Sequence, residues 1–246
     1  MTGPGSADDG RAGRETEEAE YGRHYNLTID RAAVLPPMIH DLRPREFYAR
    51  RGAIRERFGI PPAAPLAVSV AVYPEQKGVD RSVAALRDIP GLHLLAIGLK
   101  NTALMKSLAA KQGVLERTHL LGHSDEVADI LGAADLMLHP ARLENTGLVI
   151  LESLIAGVPV IASAVCGFAE YIERFGAGTV LAEPFDAARY VAAIRTALRP
   201  DALAEWKRHA RDSAPQLLRE GGIERILDAT EERLLRRRQP ASLTSS

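Results

Sequence analysis

The stretch HPARLENTGLVILESLIAGVPVIAS, residues 139–163, decides the fold. Its middle is crowded with apolar side chains (Leu148, Val149, Ile150, Leu151, Leu154, Ile155), too many for a helix with a solvated face. Gly157 follows as a helix stop, with Pro159 just beyond it. The closing run VPVIAS has the length and β-branched content of a buried strand. Two glutamates, Glu144 and Glu152, stand eight positions apart, one in the entering loop and one inside the apolar helix.

Outward from this stretch the same alternation recurs. LAVSVAVY (66–73), LHLLAIG (92–98), RTHLLG (117–122), DLMLHP (135–140) and GAGTVLAE (176–183) read as further strands. GVDRSVAALRDI (78–89), NTALMKSLAAKQ (101–112) and SDEVADILGAA (124–134) read as helices between them, the last with Ser124 as a candidate cap. Nearly continuous apolar strands alternating with helices imply a parallel sheet covered on both faces. The fold class is therefore α/β, a Rossmann-like parallel sheet with C-terminal helices appended. In that tail DAARYVAAIRTAL (186–198) lines Tyr190, Val191, Ile194, Ala197 and Leu198 on one stripe, and DALAEWKRHARD (201–212) offers Asp201 as an N-cap. In such sheets ligands bind beyond the carboxyl ends of the strands.

The chain has 246 residues, 46% hydrophobic and 26% charged, with net charge −1. No apolar run approaches the roughly 20 residues of a membrane span, and MTGPGSADDGRAGRE has no apolar leader segment. A single cysteine, Cys166, cannot form an internal disulfide, which points to a reducing, cytoplasmic setting. Near-zero net charge gives no reason to expect nucleic acid. The first 24 residues carry little to bury and are expected to be disordered or a loose helix. The arginines of LLRRRQPASLTSS complement a helix C-terminus or face acidic lipid at the inner face of the membrane or a partner.

Two loops after strands carry the chemistry. In YPEQKGVD, Gln76, Lys77 and Gly78 precede a helix, where an ammonium and outward amides suit a phosphate; a Lys-Gly pair there is more often an ordinary turn. After DLMLHP come Glu144, Asn145, Thr146 and Gly147, leading into the helix at Leu148. A carboxylate beside helix N-terminal amides can accept sugar hydroxyls while the amides take an anion. Glu152, within apolar neighbours, needs a hydrogen-bonding partner, and two ribose hydroxyls would serve. His139 and His123 lie after strands with no metal-ligand spacing around them, and no metal is expected. Cys166 reads as a small buried residue near the same mouth and Glu170 as a first-turn helix acid.

ENTGLVILESLIAGVPVIAS is similar to the Glu-x7-Glu pattern of retaining glycosyltransferases with the GT-B fold. The longer run HPARLENTGLVILESLIAGVPVIASAVCGFAEYI, with KGVDRS upstream and GTVLAEPF downstream, most resembles the lipopolysaccharide core glucosyltransferase I group, over about residues 21 to 212. The resemblance implies the C-terminal, donor-binding half of a GT-B fold. It implies that Glu144 contacts the donor sugar, Glu152 the nucleotide ribose and Lys77 the diphosphate, with the amides of Thr146, Gly147 and Leu148 on phosphate and sugar. The donor would be a UDP-sugar, used without metal or other cofactor, and the acceptor a cell-envelope glycan or glycolipid. The implied division is a tail at 1–24, a linker remnant at 25–60, the donor domain at 61–200, C-terminal helices at 201–238 and a tail at 239–246.

Two departures accompany the resemblance. The family pairs its phosphate-loop lysine with an arginine in a glycine-rich loop, whereas SVAVYPEQKG has Gln76 before Lys77, Glu75 and Ala71 in place of glycines, and no arginine between Leu66 and Asp80. Arg81, one turn along, is expected at the solvent. The acceptor half is expected to be absent, supplied by a separate chain or lost. The alternative to an enzyme is therefore a nucleotide-sugar-binding or regulatory module without turnover.

Overall fold

The computed structural model describes residues 39, 48–221, 226–228, 230–232 and 235. Contacts divide the chain into two units, Ile39–Arg219 and a second that holds both chain ends. In the second, the described residues 226–228, 230–232 and 235 are helical. The expectations for the tails at 1–24 and 239–246, for most of the 25–60 segment, and for the arginines 236–238 lie outside the described residues.

The first unit opens with α1 (Arg51–Arg57) and continues through β1 (Leu66–Val70), α2 (Val79–Ala85), β2 (His93–Ile97) and α3 (Ala103–Lys111). It then runs through β3 (Thr118–Leu120), α4 (Val127–Ala133), β4 (Leu136–His139), α5 (Leu148–Ile155), β5 (Val160–Ser163), α6 (Ala169–Phe175) and β6 (Gly178–Leu181). Helices α7 (Ala187–Ala197) and α8 (Pro200–Glu220) close it. All six strands are parallel, in the order β3-β2-β1-β4-β5-β6.

Alternation within each strand assigns its side chains to two cores. Leu66, Val68, Leu95, Ile97 and Met137 pack with α1, α4, α5, α6 and α8, through residues such as Ile54, Ile130, Ile150, Ile172 and Leu217. Ala67, Leu94, Ala96, Leu136 and Leu138 face the other way, onto Val83 of α2, Met105 of α3 and Tyr190 and Ile194 of α7. Both faces of the sheet are thus dry, the reason the strands read as unbroken apolar runs. At α7 the expected stripe holds, with Tyr190, Ile194 and Ala197 buried and Val191 and Leu198 packed at its margin. The Tyr190 hydroxyl is 2.9 Å from the Ser82 Oγ.

Two capping expectations are corrected. The Ser124 hydroxyl accepts from the Glu126 amide at 3.1 Å, so it closes a turn ahead of α4 while Glu126 occupies the cap. Asp201 lies inside the first turn of α8, which starts at Pro200 because a proline's missing amide is no loss at that position. Asp186 caps α7, accepting from the Arg189 amide at 3.0 Å.

A buried carboxylate anchors α1 and α8 to the end of the sheet opposite the mouth. Asp135, just before β4, accepts from Arg51 and Arg55 of α1 at 2.7 Å each, from Lys207 of α8 at 2.6 Å, and from the Leu66 amide at 3.0 Å. Burial pushes its carboxyl up, but Lys207, Arg51 and the Leu66 amide outweigh that and hold it below the usual carboxylate range. No helix among the described residues is long and apolar enough to cross a membrane. Removing Asp135 would leave Arg55, only 4% exposed, without its counter-charge. Asp135→Ala is expected to cost about 3–5 kcal/mol, read as a shift of the urea unfolding midpoint; a loss under about 1 kcal/mol would mean that the cluster does not tie these helices down.

Candidate functional site

Strand order reverses between β1 and β4, whose pairing matches Ala67 with Leu136 and Val68 with Met137. Loops leaving the carboxyl ends of such neighbours diverge to opposite faces of the sheet and open a crevice between them. One loop here is residues 71–78, between β1 and α2. The other is residues 140–147, between β4 and α5. These are the two segments singled out from the sequence, and the switch point brings them together.

The centre of the crevice is the Glu144 carboxylate. Its Oε2 lies 2.9 Å from the Lys77 Nζ and 2.9 Å from the His139 Nε2, and its Oε1 accepts from the Asn145 amide at 3.0 Å. Burial favours the protonated acid, but hydrogen bonds from His139 and Lys77 overcome it and hold the carboxyl down to about 2. An ionised carboxylate only accepts, so the His139 Nε2 carries the proton in this contact. Glu144 is therefore an acceptor at neutral pH and holds no proton to give to a leaving group. Lys77 also donates to the Leu143 carbonyl at 3.2 Å.

Two glycines make the approach possible. Gly147 takes φ +75° at the N-cap of α5, where a side chain would meet Ile150, Glu144 and Cys166. Gly78 takes φ +73° at the N-cap of α2, and a Cβ there would collide with the Pro140 carbonyl of the opposing loop. The two loops therefore touch backbone to backbone. A third loop, after β5, joins them: the Gly167 and Phe168 amides donate to the Asn145 and Thr146 carbonyls at 3.1 and 2.8 Å. Cys166 is buried there, its thiol pushed up to about 12 by burial and the nearby Glu144 charge, which makes it a packing residue and not a nucleophile.

The remaining sequence candidates fall around this centre. Gln76 is exposed, but its carbonyl accepts from the amides of Arg142 and Leu143 at 2.7 and 3.3 Å. Leu148 begins α5, and Glu152 lies half-buried on the second turn of that helix. Beside the phosphate-loop candidates a cleft of about 480 Å³ opens between Tyr73, Gln76, Lys100 and Leu104. His123 is away from the centre, exposed and 3.2 Å from Asp125.

Sequence reading named His139 without giving it a partner, placed Arg81 at the solvent and passed over Arg142. His139, the last residue of β4, is 2% exposed and serves the Glu144 carboxylate. Arg81 is not at the solvent: its guanidinium lies 3.8 Å over the Phe185 ring and donates to the Pro140 and Ala141 carbonyls at 3.0 and 3.3 Å. Burial, with Arg142 nearby, lowers its affinity for a proton. Arg142 bridges the two loops, donating to the Glu75 carbonyl and to Asp80. The signal for it was a lone arginine opposite two acids, legible only once the loops are known to face each other.

Comparison with known proteins agrees with this fold. The family profile described as glycosyl transferases group 1 matches residues 50–213. The chain is 35% identical over 210 residues to the lipopolysaccharide glucosyltransferase WaaG of Escherichia coli K12, covering 80% of this chain and 54% of that protein. It is 34% identical over 205 residues to the D-inositol 3-phosphate glycosyltransferase of Geodermatophilus obscurus, covering 76% of this chain and 45% of the relative. The crystal structure of WaaG superposes with a TM-score of 0.75 at 33% identity, over 80% of this chain and 55% of that one. The chain spans about half the length of the curated relatives it matches.

Two outcomes follow from the geometry. Gly78→Ala is expected to lower stability by about 1–3 kcal/mol beyond Gly59→Ala, because both take positive φ but only Gly78 faces a backbone carbonyl. Equal thermal shifts for the two would contradict the close approach. Glu144 has a folded-state carboxyl held below its unfolded value of 4.5. Its contribution is thus present above pH 4.5 and is lost as pH falls toward 2. Wild type should be more stable than Glu144→Gln near neutrality and lose that advantage in this window, measured by urea unfolding against pH; parallel curves would refute the assignment.

Proposed function

This chain belongs to the glycosyl transferases group 1 family, and from that membership we propose that it binds a UDP-sugar as the donor half of a retaining hexosyltransferase. The single observation that carries the reading is the convergence of Lys77 and Glu144, with the α5 N-terminus beside them, at the β1/β4 switch point. In this reading Lys77 and the first amides of α5 take the diphosphate, whose charge grows as the glycosidic bond breaks. Glu144 accepts hydroxyls of the sugar, and Glu152 accepts those of the ribose. The acceptor is a cell-envelope glycan or glycolipid, by likeness to the lipopolysaccharide glucosyltransferase, met with a partner that supplies the acceptor side in a cytoplasmic, membrane-peripheral setting. The charge on the diphosphate is assigned to protein groups, so the reading involves no metal.

A second reading, a nucleotide-sugar-binding module without turnover, is favoured by Gln76. With glutamine beside Lys77, the β1–α2 loop carries one cationic side chain against a diphosphate.

Calorimetric titration with UDP and UDP-hexoses, run with and without EDTA, tests both. UDP is expected to bind regardless of EDTA, and loss of binding with the chelator would reinstate a metal. Lys77→Ala and Glu152→Ala should each weaken UDP by about tenfold or more, the loss of a hydrogen bond to a charged group. Glu144→Ala should not weaken UDP and should flatten the differences among UDP-sugars. A chain that ignores UDP altogether would sink both readings. Binding without donor hydrolysis or transfer, even with an acceptor domain supplied, would select the module.

A further inference from the structure

Lysine carries its charge on a flexible four-carbon stem, so the place of the Lys77 amine depends on the backbone that presents it. Across the crevice Arg142 makes the most bonds to that backbone and its flanks, beside the Leu143 amide on the Gln76 carbonyl and Arg81 on the Pro140 and Ala141 carbonyls. Arg142 Nη1 donates to the Glu75 carbonyl at 2.7 Å, and its two terminal nitrogens pair with the two Asp80 oxygens at 2.7 Å each. Its own amide donates to the Gln76 carbonyl at 2.7 Å. Residues two before, one before and three after Lys77 are therefore all bonded to Arg142. The fork of a guanidinium on a carboxylate fixes direction as well as distance. With the Arg142 side chain 42% exposed, the pair contributes little to global stability. Its electrostatic effect is local: it offsets Asp80 and opposes Glu75, two acids flanking the lysine.

We propose that Arg142 is a positioning residue, which through Glu75 and Asp80 ties the β1–α2 loop to the β4–α5 loop and so sets the Lys77 amine against Glu144. The inference rests on the donor-binding reading only for its effect on affinity; the claim about Lys77 and Glu144 stands on geometry alone.

The full chain and its Arg142→Gln, Arg142→Lys and Asp80→Asn variants decide it by UDP calorimetry and by carbon NMR of the Glu144 carboxyl. Arg142→Gln is expected to weaken UDP about tenfold. Arg142→Lys should restore little, because the charge returns without the fork. Asp80→Asn should weaken UDP in the same direction, and the double variant Asp80→Asn/Arg142→Gln should be no worse than the weaker single. If Arg142 instead met the phosphates directly, Asp80→Asn would free it and tighten UDP binding, and Arg142→Lys would restore most of it; either result overturns the proposal. In Arg142→Gln the Glu144 carboxyl should titrate at higher pH than in wild type, as the amine loses its place. A merely structural surface pair would leave that titration where it was, and an unmoved titration overturns the proposal. Wild type failing to bind UDP would defeat the donor reading, with the Glu144 titration still deciding this one.

Discussion

The pairing of β1 with β4 is the constraint on which the site depends. Chain order would place β1 and β4 apart, but the sheet runs β3-β2-β1 in one direction and β4-β5-β6 in the other. At that reversal the register Ala67–Leu136 and Val68–Met137 ends both strands at the same level. The loops that follow then approach so closely that Gly78 lies against the Pro140 carbonyl. At the opposite end of these strands, Asp135 accepts the Leu66 amide and the cations of α1 and α8. The strand pair is thus fastened by a buried ion cluster at one end, and at the other it presents charged groups to a crevice.

Electrostatics within the crevice follow from that arrangement. Glu144 enters a partly buried position, which by itself disfavours its charge. Three donors from two loops and a strand end compensate: Lys77, His139 and the Asn145 amide. Each is delivered by a different local cause. Lys77 comes from the turn ending at Gly78, His139 from the last residue of β4, and the Asn145 amide from the bend before Gly147. A carboxylate satisfied this way is a fixed acceptor.

Sheet and helix order were legible because dry faces on both sides leave an unbroken apolar record, as in Leu66–Val70 and Leu136–His139. Segment ends were less so. Strand β1 stops at Val70 although Ala71, Val72 and Tyr73 continue the apolar run; Val72 and Tyr73 are exposed because they leave the sheet at the crevice. The Glu144 and Lys77 loops were legible as candidates since a carboxylate and an ammonium each stood before a helix. Their mutual contact was not, because it depends on strand order, which periodicity does not encode. The same holds for Arg142 with Asp80 and for Arg55 with Asp135: complementary charges are common, and only the register of the sheet selects which ones meet.

The ion pair at the centre has a consequence for ligand entry. The proposed reading assigns Lys77 to the diphosphate and Glu144 to the sugar, and the two bond to each other at 2.9 Å. The ammonium has three donors, of which one meets Glu144 and one the Leu143 carbonyl; on that reading a diphosphate that takes more than the third displaces one of these contacts, and part of its gain is offset. On that reading Glu144 keeps His139 and the Asn145 amide, and a sugar hydroxyl takes any position the amine leaves. UDP alone brings the anion without the hydroxyl, whereas a UDP-sugar brings both. On the proposed reading the pair therefore favours a UDP-sugar over UDP alone.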